Sequence, residues 1–227
     1  MAKEKHEDKK VRTARIIRAL EKLYPDARCA LTHTNAFELL VATILSAQCT
    51  DARVNMVTPV LFKKYPTAEA LAKAPQEDVE KIIKTTGFFR SKAKSIRETS
   101  ADIVQKHGGK VPQTMDELTD LRGVGRKTAN VVLGNAFDQN VGVVVDTHVG
   151  RLSRRLALTV HETPVDVEQD LMKLVPVEKW TNFSHLLIFH GRQICFARNP
   201  QCDKCPLLPD CPTGQTLTQA AAKAKPK

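Results

Sequence analysis

The chain has 227 residues, 42% of them hydrophobic, which excludes a disordered chain and allows one or two domains with a packed core. Its 35 Lys and Arg against 25 Asp and Glu leave a formal charge of +10, which points to a polyanionic partner, nucleic acid before anionic membrane. No apolar run reaches the roughly 18 residues that span a bilayer. The charged opening MAKEKHEDKK has neither a secretory nor a transit character, so a cytoplasmic chain with reduced cysteines is expected.

In chain order the pattern predicts helix nearly throughout. AKEKHEDKK at the start and AKAKPK at the end read as solvated tails. VRTARIIRALEKLY (11–24) places Ile16, Ile17, Leu20 and Leu23 on one stripe. FELLVATILSAQC (37–49) is apolar over most of its surface and predicts a central, buried helix. Asp51 is expected to cap the next helix, which stops before Pro66. Helices are then predicted over about 68–73, 76–84, 88–107, 115–120, 125–137, 147–158, 165–175 and 178–191. VGVVV (141–145) alone has strand composition; without a partner strand it reads as a buried connector. The expected class is all-α, with no internal repeat.

LRGVGRKTANVV (121–132) packs Gly123 and Gly125 around Val124 at the mouth of a helix. Both glycines permit positive φ and leave backbone uncovered. Successive N–H groups can then converge on an anion, aided by the helix N-terminus. A short helix, a Gly-X-Gly turn and a second helix make a helix-hairpin-helix, which grips a DNA phosphate without reading bases. Arg126 would add a charge-assisted contact. The plainer reading is an ordinary helical turn with a glycine C-cap. Lys127 stands in the first helical turn, where the macrodipole, Arg126 and partial burial would favour a neutral, nucleophilic amine. Simple contact with phosphate is the other reading, and this stretch alone does not choose. Asp146, after the buried connector, is expected to cap a helix. From there it could also aim a carboxylate into a cleft, to relay protons or stabilise positive charge on a ring oxygen. His148 reads as structural.

Cys195, Cys202, Cys205 and Cys211 follow C-x6-C-x2-C-x5-C within 17 residues, a metal-centre pattern. A single CxxC differs from the two-knuckle arrangement of structural zinc. A four-iron cluster on four thiolates matches better, and zinc stays open on chemistry alone. Arg192, Arg198 and Lys204 around the cluster could face phosphate. Cys29 and Cys49 read as small buried residues.

LLVATILSAQCTD, GFFRSKA, LRGVGRKTANVV, VDTHVGR, FHGR and the cysteine loop occur in that order between about Phe37 and Pro212. Together they resemble the endonuclease III family, DNA repair glycosylases of the helix-hairpin-helix superfamily. The resemblance implies two helical lobes with DNA in the cleft between them. Residues 29–139 would form a six-helix barrel domain carrying the hairpin. Residues 1–28, a tail and a helix, would join 140–227, which carries a 4Fe-4S cluster on the four cysteines and ends in a basic tail. It implies a bifunctional glycosylase and abasic-site lyase of base excision repair, acting as a monomer in the nucleoid on double-stranded DNA with damaged pyrimidines or abasic sites. The damaged base is flipped from the stack. Lys127 would attack the anomeric carbon and form a Schiff base, Asp146 would assist, and β-elimination would cut 3′ to the lesion. Gln48 and Phe88 would fill the gap and wedge the opposite strand, while Ser46 and Asp51 border the lesion pocket.

Three departures stand out. Arg122 replaces the proline usual in this hairpin, which loosens the turn and adds a phosphate contact. Phe88 is bulkier than the aliphatic residue common at its position. Cys49 stands where alanine is frequent. Two other functions compete: a monofunctional mismatch or adenine glycosylase, whose kind usually lacks a lysine at position 127, and a non-catalytic, redox-sensing DNA-binding module, which needs neither Lys127 nor Asp146.

Overall fold

The computed structural model describes residues 4–223. Residues 1–3, and residues 224–227 of the expected basic tail, lie outside the described residues. The described residues are helical with no strand, in two compact units: residues 29–141, and residues 4–28 together with 142–223. No described helix is long and apolar enough to cross a membrane.

The 29–141 unit contains α2 (Ala36–Leu45), α3 (Asp51–Lys64), α4 (Ala68–Ala72), α5 (Gln76–Ile83), α6 (Phe89–His107), α7 (Met115–Asp120) and α8 (Arg126–Ala136). Every residue of α2 from Leu39 to Leu45 is buried, as its unbroken apolar run predicts. The helix ends four residues sooner than expected. Ser46 Oγ donates to the carbonyl of Thr43 at 2.8 Å, satisfying a terminal acceptor. The chain then turns through Gln48, whose φ of 52° is left-handed. The cap of α3 is Thr50 and not Asp51: the Thr50 backbone is extended and its side chain accepts from Arg53 N, while Asp51 is the first helical residue. An acid in that position still opposes the macrodipole favourably. Helix α6 packs on α4 and α5, and α8 on α2 and α7. Leu40, Leu61, Leu71, Ile96, Leu118 and Leu133 meet in the core.

The second unit contains α1 (His6–Leu23), α9 (Thr147–Arg155), α10 (Pro164–Leu174), α11 (Trp180–Gln193) and α12 (Pro212–Lys223). Its core joins Ile16 and Leu20 of α1 to Leu152, Leu171, Phe183 and Leu187. Leu23, expected on that stripe, is exposed. The opening residues are not simply a solvated tail, because α1 begins at His6 with Glu7 and Asp8 in its first turn, where acids are favoured. Helix α12 falls in a stretch for which no helix was predicted; Pro212 opens it, and proline's fixed φ suits that position. Residues 142–145 form the expected buried connector and no strand.

Candidate functional site

In the 29–141 unit the site grows from the α7–α8 hairpin. Leu121 and Val124 are buried and pin the turn to the core, and Val124 N donates to Leu121 O at 3.1 Å. Gly123 has a φ of 76°, a conformation that suits glycine. Gly125, expected to need the same freedom, has φ −99° and ψ 174°, which any residue adopts. A Cβ at Gly125 would meet nothing within 4 Å, so its backbone faces open space. Gly125 also caps α8 without a side-chain acceptor, leaving the first-turn N–H groups for an external anion.

Arg126 and Lys127 are the first two residues of α8, and both are exposed. The partial burial expected for Lys127 is not found. Arg122, which replaces the turn's usual proline, is held from both ends. Thr99 Oγ1 donates to its carbonyl, and its Nε pairs with Glu98 Oε2 at 2.6 Å. Its guanidinium, expected to meet phosphate, lies on a carboxylate.

Phe88 is 67% exposed and left-handed at φ 45°, following Gly87 at φ 70°. Gln48 is exposed and left-handed too. Phe88, Gln48, Ser95 and Gly123 line one hollow. Ser46 and Asp51 are half-buried at the two ends of the turn that carries Gln48. The structure thus gathers the expected wedge, gap-filler and hairpin on one unit. Cys29 and Cys49 pack half-buried against its core.

In the second unit Asp146 caps α9 as expected: its Oδ1 accepts from Val149 N at 2.8 Å. His148 packs over Gly191, where an added Cβ would lie 2.7 Å from Nδ1. Burial holds its imidazole below the ordinary value, which fits a structural role.

Cys195, Cys202, Cys205 and Cys211 form no disulfide and line one pocket with Leu152, Leu156 and Leu208. Two N–H groups and one imidazole nitrogen approach their sulfurs. Arg155 Nη1 is 3.2 Å from Cys195 Sγ, Gly214 N is 3.3 Å from Cys211 Sγ, and His190 Nε2 is 3.3 Å from Cys205 Sγ. Tyr24 Oη lies 3.1 Å from His190 Nδ1. Burial pushes the Tyr24 phenol up to about 12, so Tyr24 keeps its proton, and His190 bridges the phenol and the sulfur through its two ring nitrogens. Among the described residues no group of three His, Cys, Asp or Glu is close enough to hold a single ion. Four cysteines around one apolar hollow are the residues that could hold a metal centre.

Arg155 and Tyr24 had no signal of their own in the sequence, and His190 stood there only as part of FHGR. Arg151 and Arg155 stand one turn apart on α9, and both guanidinium groups reach the carbonyl of Cys195, 40 residues or more away. Arg192, Arg198 and Lys204 are exposed near the cysteines, as expected.

Residues 41–177 match the model of the HhH-GPD superfamily base excision DNA repair proteins. Endonuclease III of Synechocystis sp. is 54% identical over 207 residues, covering 91% of this chain and 94% of that protein. The structure of a non-covalent endonuclease III–DNA complex matches with a TM-score of 0.87 and 44% identity, over 92% of this chain and 98% of that one. A trapped endonuclease III–DNA covalent intermediate matches with a TM-score of 0.87 and 45% identity, over the same shares. With its hairpin, its exposed first-turn lysine and its four-cysteine pocket, this chain belongs to the endonuclease III family of the HhH-GPD superfamily of base excision DNA repair proteins.

Proposed function

We propose that the protein is a bifunctional DNA glycosylase and abasic-site lyase that removes oxidised pyrimidines from double-stranded DNA. The observation that carries this reading is Lys127, exposed in the first turn of α8 directly after Gly125, where a Cβ would meet only open space. A relative trapped as a covalent DNA intermediate supports it. The amides of Gly123 and Gly125, with Arg126, grip a phosphate, whereas the Val124 N–H, expected to join them, is already held by the carbonyl of Leu121. Phe88 wedges the opposite strand, Gln48 fills the vacated space, and Ser46 and Asp51 border the flipped base.

The neutral amine of Lys127 attacks C1′ of the damaged nucleotide. The glycosidic C–N bond breaks and the base departs with the bonding pair and a proton. Opening of the sugar at its ring oxygen gives the iminium. Loss of a C2′ proton then expels the 3′ phosphate and cuts the strand. Asp146 stabilises positive charge on the sugar and relays protons. Cys195, Cys202, Cys205 and Cys211 would hold a 4Fe-4S cluster, which when bound supplies a cross-link for the 195–211 loop and a redox-active centre. The enzyme acts as a monomer in the nucleoid.

Borohydride should trap the parent protein on lesion-bearing duplex and fail with Lys127→Gln, while that variant still binds the duplex. Equal trapping of both would overturn the Schiff-base role.

A further inference from the structure

Lys92 lies on α6 with 6% of its surface exposed, and the reaction gives it no task. Its Nζ donates to the carbonyl of Thr86 at 2.7 Å. Its backbone N–H donates to the carbonyl of Phe88 at 3.0 Å. One residue therefore holds both flanks of Gly87. Thr86 is itself buried and donates from its hydroxyl to Ile83 O at 2.9 Å, so the anchored end is fixed to the core. Between these anchors the chain passes through two left-handed residues, Gly87 and Phe88. A phenylalanine adopts that conformation only where its surroundings impose it.

The choice of lysine is costly for folding alone. A buried ammonium loses its hydration, and burial pulls the Lys92 amine below its ordinary value. Methionine would fill nearly the same volume without that penalty. What methionine lacks is a donor at the end of a long arm, and that donor is what reaches Thr86. The same side chain lines the hollow shared by Phe88, Gln48 and Gly123. A shift of the 86–88 turn would thus move Phe88 within the surface that meets DNA.

We propose that Lys92 is a positioning residue that sets the Phe88 wedge, and through it the discrimination between bases opposite the lesion. This rests on the reading of Phe88 as the wedge. The cost of opening the stack differs with the pair that must be parted; a wedge held in one place carries that difference into the excision rate, and a loosened one blurs it.

The test measures single-turnover excision of one lesion opposite each of the four bases, for the parent, Phe88→Ala and Lys92→Met. Lys92→Met should move the melting temperature only modestly, because relief of the buried ammonium offsets the stranded Thr86 carbonyl, and should bind undamaged duplex like the parent. It should still be trapped by borohydride at a preformed abasic site. Its spread of excision rates across opposite bases should narrow by about tenfold, the scale of one lost hydrogen bond to a charged group. Hydrogen exchange of residues 84–88 should quicken without DNA. Lys92→Gln, with a shorter arm, should narrow the spread likewise and carries the test should the methionine variant fail to fold. If Phe88→Ala collapses the spread while the Lys92 variants retain it, or slow excision equally opposite every base, Lys92 is only structural. If Phe88→Ala leaves the spread intact, the wedge reading falls and takes the proposal with it.

Discussion

The carboxylate of Asp146 accepts the backbone N–H of Val149 at 2.8 Å and so caps α9. A residue that caps a helix and handles protons confounds two losses, and the choice of substitution separates them. Asparagine caps about as well as aspartate, whereas alanine forfeits the cap at a cost of about 1 kcal/mol. Asp146→Asn should therefore hold its stability to within about 0.5 kcal/mol, the residual being the lost charge–dipole attraction. Asp146→Ala should lose about 1 kcal/mol. Both should slow base excision by about a hundredfold or more, the scale of a lost acid–base group. Parallel denaturant melts and single-turnover assays decide. An Asn variant with parental turnover would reduce Asp146 to its cap.

The two hairpin glycines should fail for different reasons. Gly123 has a φ of 76°, so alanine there strains the backbone by about 1–2 kcal/mol. Gly125 has an extended backbone with open space where a Cβ would stand. Alanine there should leave stability unchanged or raise it by a few tenths of a kcal/mol through the unfolded chain. It should nonetheless weaken duplex binding, because the methyl group stands where a phosphate must approach the amide. Melting curves paired with binding isotherms for the two variants provide the check. Parental DNA affinity in Gly125→Ala would remove its amide from the phosphate grip.

Arg12 ties the start of α1 to distant parts of its unit. Its guanidinium donates to Leu156 O at 2.7 Å and to Asp210 O at 2.9 Å. It also grips both carboxylate oxygens of Glu4 at 2.9 Å. Arg12→Met should cost about 2–4 kcal/mol, since it strands two carbonyls and a partly buried carboxylate. The Arg12 hydrogen bond also holds the Glu4 carboxyl below its ordinary value. A lowered carboxylate pKa stabilises the fold above the unfolded pKa, and that contribution fades as pH falls through the folded one. The parent should thus lose more stability on acidification than Arg12→Met does. Denaturant melts at neutral and acid pH measure the difference. An identical acid response would show that the Glu4 pair carries no linkage.

How much was legible follows from how far each signal reaches along the chain. Helix periodicity is local, so most elements and the buried α2 could be read directly from their residues. The four cysteines lie within 17 residues, and their common pocket follows from that spacing. The end of α2 at Leu45 was hidden, because its apolar run continues while Ser46 and a left-handed Gln48 turn the chain. The charged residues from His6 to Lys10 look like a tail, but α1 is extended through them, and Arg12 joins it to Asp210 across 198 positions. No local pattern announces such a bond. The pairing of Arg122 with Glu98 is of the same kind: it depends on which face of α6 meets the hairpin turn, which composition does not specify.

The cysteine pocket makes a compositional prediction. Purified protein should carry about four irons per chain and absorb visibly, as four thiolates around a cluster would give. Cys202→Ser should lose iron, and the 195–211 loop should become sensitive to protease because its cross-link is gone. Arg155→Met should retain iron at first but lose it faster to oxidant, since Arg155 Nη1 sits 3.2 Å from Cys195 Sγ and donates to the carbonyl of Phe196 at 2.7 Å. Elemental analysis with an absorbance time course settles both points. One zinc per chain and no visible band would replace the cluster with a structural ion.

Salt dependence distinguishes the two arginines of the hairpin. Each phosphate neutralised by a cation releases condensed counterions and steepens the salt slope by about 0.9 for duplex DNA. Arg126 is exposed at the start of α8, where the helix N-terminus would hold the phosphate. Arg126→Ala should weaken binding to damaged and undamaged duplex alike and flatten the slope by about one unit. Arg122 differs, because its Nε lies 2.6 Å from Glu98 Oε2. A guanidinium already neutralised by a carboxylate releases fewer counterions, so Arg122→Ala should flatten the slope by much less than one unit. Glu98→Gln should then do the reverse: it frees Arg122 for phosphate, tightens binding at low salt and steepens the slope. The Glu98→Gln effect should vanish when Arg122 is also alanine, since no guanidinium remains to be freed. Salt titrations of the three single variants and the double variant measure every term. If Arg122→Ala flattens the slope as much as Arg126→Ala does, Arg122 leaves Glu98 for phosphate on binding. The replacement of the hairpin's usual proline would then add a DNA contact after all.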